Sequence, residues 1–167
     1  MNYAYLSLGT NLFDRMENLR RAVKRIWDFG EIVAVSSVYE TQPHGFEFQR
    51  PFLNMVILVS FPDGPFHLMD AVSRVEKVMG RKRPFPNAPR VIDIDILFFG
   101  NIAIGEPRLT IPHRGFYRRK FMYMPAVEIA SLGFRPFWYD EFSPQDGWIR
   151  LYRMRPYGGS PSAFGIH

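Results

Sequence analysis

Asp93 and Asp95 are the residues of this chain best suited to chemistry. They stand two apart in Arg90-Val91-Ile92-Asp93-Ile94-Asp95-Ile96-Leu97-Phe98-Phe99, a run of isoleucines and aromatics that ends at Gly100-Asn101 and reads as a strand. Successive strand side chains point to opposite faces, with a rise of about 3.3 Å per residue. The two aspartates therefore share one face, roughly 6.6 Å apart along the strand, and Ile92, Ile94 and Ile96 cover the other. Like charges so placed repel, and carboxylates are rarely buried unpaired. A cation between them answers both problems. Mg²⁺ takes carboxylate oxygens and completes its shell with substrate phosphates, and two metals about 3.5–4 Å apart fit between such carboxylates. Two solvated aspartates on an exposed strand face remain the alternative.

The basic residues favour phosphate. The net charge is +5, and residues 81–90 carry Arg81, Lys82, Arg83 and Arg90 without an acid. Residues 113–120 carry Arg114, Arg118, Arg119 and Lys120, again without one. Such clusters attract phosphates of a nucleotide or of a nucleic-acid backbone, although charge runs also serve as plain solvated surface. Both flank the acidic strand, which suits a polyphosphate held jointly by arginines and cations. His113 follows Pro112 beside the second cluster, where it suits a phosphate-contacting donor. Asn54 lies between apolar Leu53 and Met55, either satisfying backbone groups locally or reading the edge of a heterocycle.

These residues need a scaffold. At 167 residues the chain suits one domain, and 47% apolar content makes it globular. No apolar run approaches the roughly 18 residues of a membrane span, and no secretory leader is apparent. Cysteine is absent, which excludes disulfides and a thiolate nucleophile and is compatible with a cytoplasmic enzyme.

Residues 2–8 alternate as a first strand. Asp14 with Glu17 matches a capping box, and Leu19, Ala22, Val23, Ile26 and Trp27 follow at helical spacing until Gly30. Residues 31–39 are strand-like, 41–51 form a long loop, and 52–61 form an apolar strand able to pair with 31–39. Asp63-Gly64-Pro65 opens a second helix with Leu68, Val72, Val75 and Met79 on one face until Gly80. A basic loop, 81–90, leads to the acidic strand. The order β-α-β-β-α-β predicts an α+β, ferredoxin-like sandwich with an antiparallel sheet and helices on one face. Residues 122–131 suit a further short helix. Residues 133–167 show no clear period and read as an atypical C-terminal extension, with a flexible tail over 158–167.

The ordered motifs support a specific resemblance. They are Leu6-Ser7-Leu8-Gly9-Thr10-Asn11-Leu12 with Asp14-Arg15, Ser36-Ser37-Val38-Tyr39-Glu40-Thr41, Phe52-Leu53-Asn54, Gly80-Arg81-Lys82-Arg83, Pro89-Arg90-Val91-Ile92-Asp93-Ile94-Asp95, and Leu109-Thr110-Ile111-Pro112-His113. From about residue 3 to 130 the chain resembles 6-hydroxymethyl-7,8-dihydropterin pyrophosphokinases, enzymes of folate biosynthesis. The resemblance implies mobile loops around the site and transfer of pyrophosphate from ATP to the pterin hydroxymethyl group, releasing AMP. It implies that Asp93 and Asp95 hold two Mg²⁺ ions and that Arg81, Arg90, His113 and Arg119 contact phosphates. Glu76, Arg83 and Arg108 would contribute to ATP binding. Asn54 would bond the pterin edge, Phe52 and Phe121 would sandwich the ring, and groups near Thr41 and His44 would complete the pocket. Dihydropteroate synthase is a possible physical partner on this reading, whereas nucleic acid and membrane are not partners.

The chain also departs from the family pattern. Pro84-Phe85-Pro86-Asn87-Ala88 stands where a tryptophan and a nearby arginine are usual, apparently one residue shorter, with Asn87 near the tryptophan position. Phe13 and Arg114 replace a frequent glycine and tyrosine. The short loop is expected to seal the ATP site less well. Two other readings share the motifs: a basic ferredoxin-like nucleic-acid binder, and a catalytically impaired relative that still binds pterin or nucleotide.

Overall fold

A computed structural model of the chain describes residues 1–134 and 144–154. The elements run β1 (Asn2–Thr10), α1 (Arg15–Trp27), β2 (Glu31–Val35), β3 (Val38–Thr41), β4 (Phe52–Phe61), α2 (Pro65–Val78), β5 (Asp93–Phe99), β6 (Ile104–Gly105), β7 (Thr110–Ile111), α3 (Lys120–Ala130) and β8 (Ile149–Arg153). The main sheet is antiparallel in the order β5-β1-β4-β3-β8, with β2 also on β4, and β6 pairs with β7 separately. This is the ferredoxin-like arrangement with additions.

Local chemistry sets the boundaries. Asp14 accepts the Glu17 N–H at 3.0 Å and caps α1, a contribution of about 1 kcal/mol. Pro65 occupies the first turn of α2, and Gly80 follows its end at φ +83°, a conformation that costs glycine little. All ten residues of β4 are buried, because both faces of the sheet are covered. On one face, Leu6, Leu8, Met55, Ile57, Ile94 and Ile96 pack against Leu19, Val23 and Ile26 of α1 and Leu68, Val72 and Val75 of α2. On the other, Tyr5, Val56, Leu58, Leu97 and Phe98 pack beneath Met122, Tyr123, Ala126 and Ile129 of α3.

Several expectations needed adjustment. The strand expected over 31–39 is two strands: the Ser36 hydroxyl accepts the Val56 N–H at 2.8 Å and donates to Ser37 O at 2.7 Å, interrupting the ladder. The acidic strand begins at Asp93 rather than Arg90, since the Arg90 backbone is bonded to Asn11 on both sides (3.1 and 2.9 Å). Helix α3 begins at Lys120 and retains Pro125 inside it. The extension is not without structure: β8 lies antiparallel to β3, pairing Ile149 with Thr41 and Arg150 with Glu40. The tail over 158–167 lies outside the described residues.

Candidate active site

Helix α3 covers only part of its face of the sheet, and the site occupies the remainder. Strand register places Asp93 opposite Gly9, Gly9 opposite Asn54, and Asn54 opposite Tyr39, one continuous row across four strands. Asp95 lies opposite Ser7, and Phe52 opposite Thr41. Period-two alternation brings Asp93, Asp95, Asn54 and Phe52 to this face while Ile94, Met55 and Leu53 enter the core. A pocket forms over the row, walled by Thr41, His44, Phe52, Asn54, Arg90 and Phe121. Asp93, Asp95 and Arg119 stand at its polar end.

A second cavity, a groove of about 490 Å³, runs from Met69 and Ser73 of α2 past Arg108, His113 and Arg114. Asp95 and Arg119 line this groove as well as the pocket. A pocket lined by Phe52 and Phe121 and a basic groove thus meet at one carboxylate and one guanidinium.

The charges at this junction are unevenly matched. Arg81 bonds Asp93 with one Nη and Glu76 with the other, the latter at 2.8 Å. Arg90 Nε lies 3.2 Å and Arg83 Nη2 3.5 Å from Asp93. Asp95 has a single long ion-pair contact among the described residues, His113 Nε2 to Oδ1 at 3.7 Å. Burial, followed by the Asp93 and Glu76 charges, pushes the Asp95 carboxyl up to about 7 against the pull of Arg81 and Arg119. A third of its side chain still faces open space, so water moderates the burial effect. Glu76 is raised to about 7 as well, by burial above all, although it accepts the Ile94 N–H at 2.7 Å. His113 is held below the usual histidine value by burial and then by Arg119, with Asp93 opposing.

Comparison with known proteins shows which family carries this arrangement. The family model for 7,8-dihydro-6-hydroxymethylpterin-pyrophosphokinase matches residues 5–131. The chain is 38% identical over 132 residues to the 2-amino-4-hydroxy-6-hydroxymethyldihydropteridine pyrophosphokinase of Bacillus subtilis, covering 78% of this chain and 79% of that one. With the enzyme of the same name from Aquifex aeolicus it shares 36% over 149 residues, covering 87% and 93%. The chain belongs to the pyrophosphokinase family.

It is a folate-biosynthesis enzyme that transfers pyrophosphate from ATP to 6-hydroxymethyl-7,8-dihydropterin, giving AMP and the pterin diphosphate. The fold also matches a solved HPPK-DHPS in complex with substrates, at TM-score 0.64 and 15% identity, over 85% of this chain and 44% of that one. The wild-type HPPK-DHPS of Plasmodium falciparum with pterin and p-hydroxybenzoate gives TM-score 0.57 and 18% identity, over 76% and 38%. This pyrophosphokinase chain therefore spans less than half of either polypeptide.

Most residues singled out in the sequence converge here. Thr41, His44, Phe52, Asn54, Arg90, Asp93, Asp95, Arg119 and Phe121 wall the pocket, and Arg108 and His113 the groove. Asn54 Nδ2 donates to Thr41 Oγ1 at 2.5 Å, so one amide hydrogen is taken by a side chain on the paired strand rather than by a backbone group. Arg81 and Glu76 sit behind the aspartates, bonded to them or to their strand. Arg83 is mostly exposed, and Arg108 stands at the far end of the groove, 3.7 Å from Asp70. Ser7, Gly9, Gln42 and Asn87 also line the pocket without having been singled out as site residues. Strand alternation from Tyr5 would have found Ser7 and Gly9, since a serine and a glycine there break an apolar series.

The departing loop makes its own contacts. Asn87 adopts φ +59° and packs its amide on Gly45, where a Cβ would meet Asn87 Nδ2 at 2.4 Å. The Phe46 and Phe85 rings meet edge to face at 5.3 Å. Gln49 Nε2 donates to Asn87 O at 3.0 Å, and Asn11 Nδ2 donates to Gln49 Oε1 at 2.7 Å. The loops over 10–14, 43–50 and 84–89 are thereby joined at the pocket mouth.

Proposed function

We propose that the pocket holds the pterin, the groove holds ATP, and the transfer occurs where Asp95 and Arg119 border both. The observation that carries this reading is that shared wall. Phe52 and Phe121 offer aromatic surfaces to the pterin ring, and Asn54 offers an amide to its polar edge. The hydroxymethyl oxygen, directed toward Asp95, attacks the β-phosphorus. A bond forms from that oxygen to phosphorus, the bond from phosphorus to the α,β-bridging oxygen breaks so that AMP leaves, and the hydroxyl proton passes to water. Transfers of this type depend on positioning and charge compensation more than on a strong protein base.

Asp93 and Asp95 would hold Mg²⁺. Their donor set fits: two carboxylates on one strand face, with a basic groove alongside that Asp95 also lines. Mg²⁺ completes its shell with water and phosphate, so this sparse set suits it better than a metal needing a full protein cage. When bound it would draw charge from the phosphate oxygens and lower the pKa of the attacking hydroxyl. Two ions are our expectation.

The chain's own groups do the rest. Arg81 fixes Asp93 by bridging it to Glu76. The Arg90 guanidinium, stacked 5.0 Å over the Phe52 ring, ties the pterin wall to Asp93. His113 and Arg119 present donors to phosphates in the groove, and Arg83 and Arg108 extend the positive surface outward. We assign the enzyme to the cytoplasm, which its lack of cysteine suits. Product analysis with MgATP and 6-hydroxymethyl-7,8-dihydropterin tests the whole. AMP formed in step with pterin consumption supports it, whereas ADP or no turnover overturns it.

A further inference from the structure

Asp146 lies in the C-terminal segment, beyond the residues matched by the family model, yet it bonds the start of the helix that carries Arg119 and Phe121 to the pocket. The first N–H groups of a helix have no partner within it. In α3 the cap position is Arg119, whose side chain makes no capping bond. The Lys120 N–H instead donates to Asp146 Oδ1 at 2.8 Å, from 26 positions along the chain. A carboxylate there also complements the positive end of the helix. Lys120 Nζ donates to Gly147 O at 2.8 Å, so both ends of Lys120 are fixed by the same segment.

The segment then crosses to the opposite wall. Gln42 N donates to Trp148 O at 3.2 Å, and Trp148 N donates to Gln42 Oε1 at 3.3 Å. Ile149 and Arg150 continue as β8 against Thr41 and Glu40, with Arg150 paired to buried Glu40. Gly147 makes the turn at φ +39°, close against the Gln42 side chain. Residues 146–150 thus join the start of α3, which carries Arg119 and Phe121, to the end of β3, which carries Thr41 and Gln42. All four of these residues line the pterin pocket.

We propose that Asp146 is a positioning residue for the pterin: by capping α3 from the extension it holds Phe121 and Arg119 against the wall formed by Thr41 and Gln42. The inference rests on the reading that this pocket takes the pterin. Without the cap the first turn of α3 frays, and the ring-binding surface spends less time in place. Asparagine caps as well as aspartate, and alanine does not. A cap of ordinary strength corresponds to roughly a fivefold change in binding.

The test combines steady-state kinetics with hydrogen exchange on the full chain and its D146A and D146N variants. D146A should raise KM for 6-hydroxymethyl-7,8-dihydropterin roughly fivefold with kcat within about twofold. Amide exchange over residues 119–123 should accelerate while that of β1 and β4 stays unchanged, and D146N should restore both readouts. A merely stabilising residue would lower the active fraction and leave KM alone, which overturns the proposal. Faster exchange with an unchanged KM, or no change in exchange, also overturns it. If the unaltered chain fails to consume the pterin, the pocket assignment falls, and exchange at 119–123 still decides whether Asp146 fixes the helix.

Discussion

His113 Nδ1 accepts the Gly115 N–H at 3.0 Å, so its proton resides on Nε2, the nitrogen that lies 3.7 Å from Asp95 Oδ1. With its pKa held low by burial and Arg119, the ring is a neutral donor at pH 7 aimed at the junction. Replacing it with alanine should lower kcat by about tenfold to a hundredfold, the range for one hydrogen bond to a charged group. Folding lowers this pKa, so the associated stability is full above about pH 6.5 and is lost as pH falls through the folded value. His113→Gln should flatten that acid limb, and melting temperatures from pH 5 to 8 would show it. An unchanged limb would refute the lowered pKa.

Asp95 carries the opposite sign. Its carboxyl is raised to about 7 by burial, Asp93 and Glu76, so ionising it opposes folding. That cost is absent below about pH 4, grows as pH rises, and is complete above about 7. Asp95→Asn should therefore stabilise the metal-free chain at pH 8 by roughly 1–2 kcal/mol, after allowance for the exposed third of the side chain. The same variant should lose nearly all turnover. Denaturant titration in EDTA at pH 5 and pH 8 checks the first claim, and a stability gain equal at both pH values would contradict it.

Gly9 separates Asp93 from Asn54 with bare backbone. A Cβ there would meet Asn54 Oδ1 at 2.8 Å, closer than real side chains pack, so Gly9→Ala should displace the Asn54 amide. The expected result is a KM for the pterin raised about tenfold with MgATP affinity unchanged, measured by calorimetry and kinetics together. A weakened nucleotide affinity instead would place Asn54 in the wrong subsite.

Arg90 joins three features: Asp93, the Ala88 carbonyl at 3.1 Å, and the face of Phe52. Lysine keeps the charge but not the planar fork that serves all three. Arg90→Lys should reduce kcat/KM by about tenfold or more, and activity within twofold of the unaltered enzyme would rule the fork out.

The fold and the placement of Asp93 and Asp95 on one face of β5 were legible because both obey short periods. Alternation in β1, β4 and β5 told which face each residue takes, and Gly30, Gly64-Pro65 and Gly80 marked the helix ends. The split at Ser36–Ser37 was hidden, since it depends on a serine hydroxyl bonding the Val56 N–H twenty positions away. Strand β8 was hidden for a related reason. Its Ile149-Arg150-Leu151-Tyr152-Arg153 lies largely exposed, so no buried stripe announces it, and its contact with Glu40 spans 110 positions. The arginines on Asp93 were legible as a cluster but not as partners. The expectation that a cation must neutralise the aspartates is met at Asp93 by Arg81, Arg90 and Arg83, and far less at Asp95.

Strand β8 has a consequence for solubility as well as for the pocket. Without it the outer edge of β3 would present a row of unpaired N–H and C=O groups, a template for lateral association with another chain. Among the described residues, that side of the sheet ends in a short strand bearing Arg153 and the Glu40-paired Arg150, and edge charges of this kind disfavour strand-to-strand stacking between copies. The segment that caps α3 therefore also shields an edge that could otherwise template association between copies.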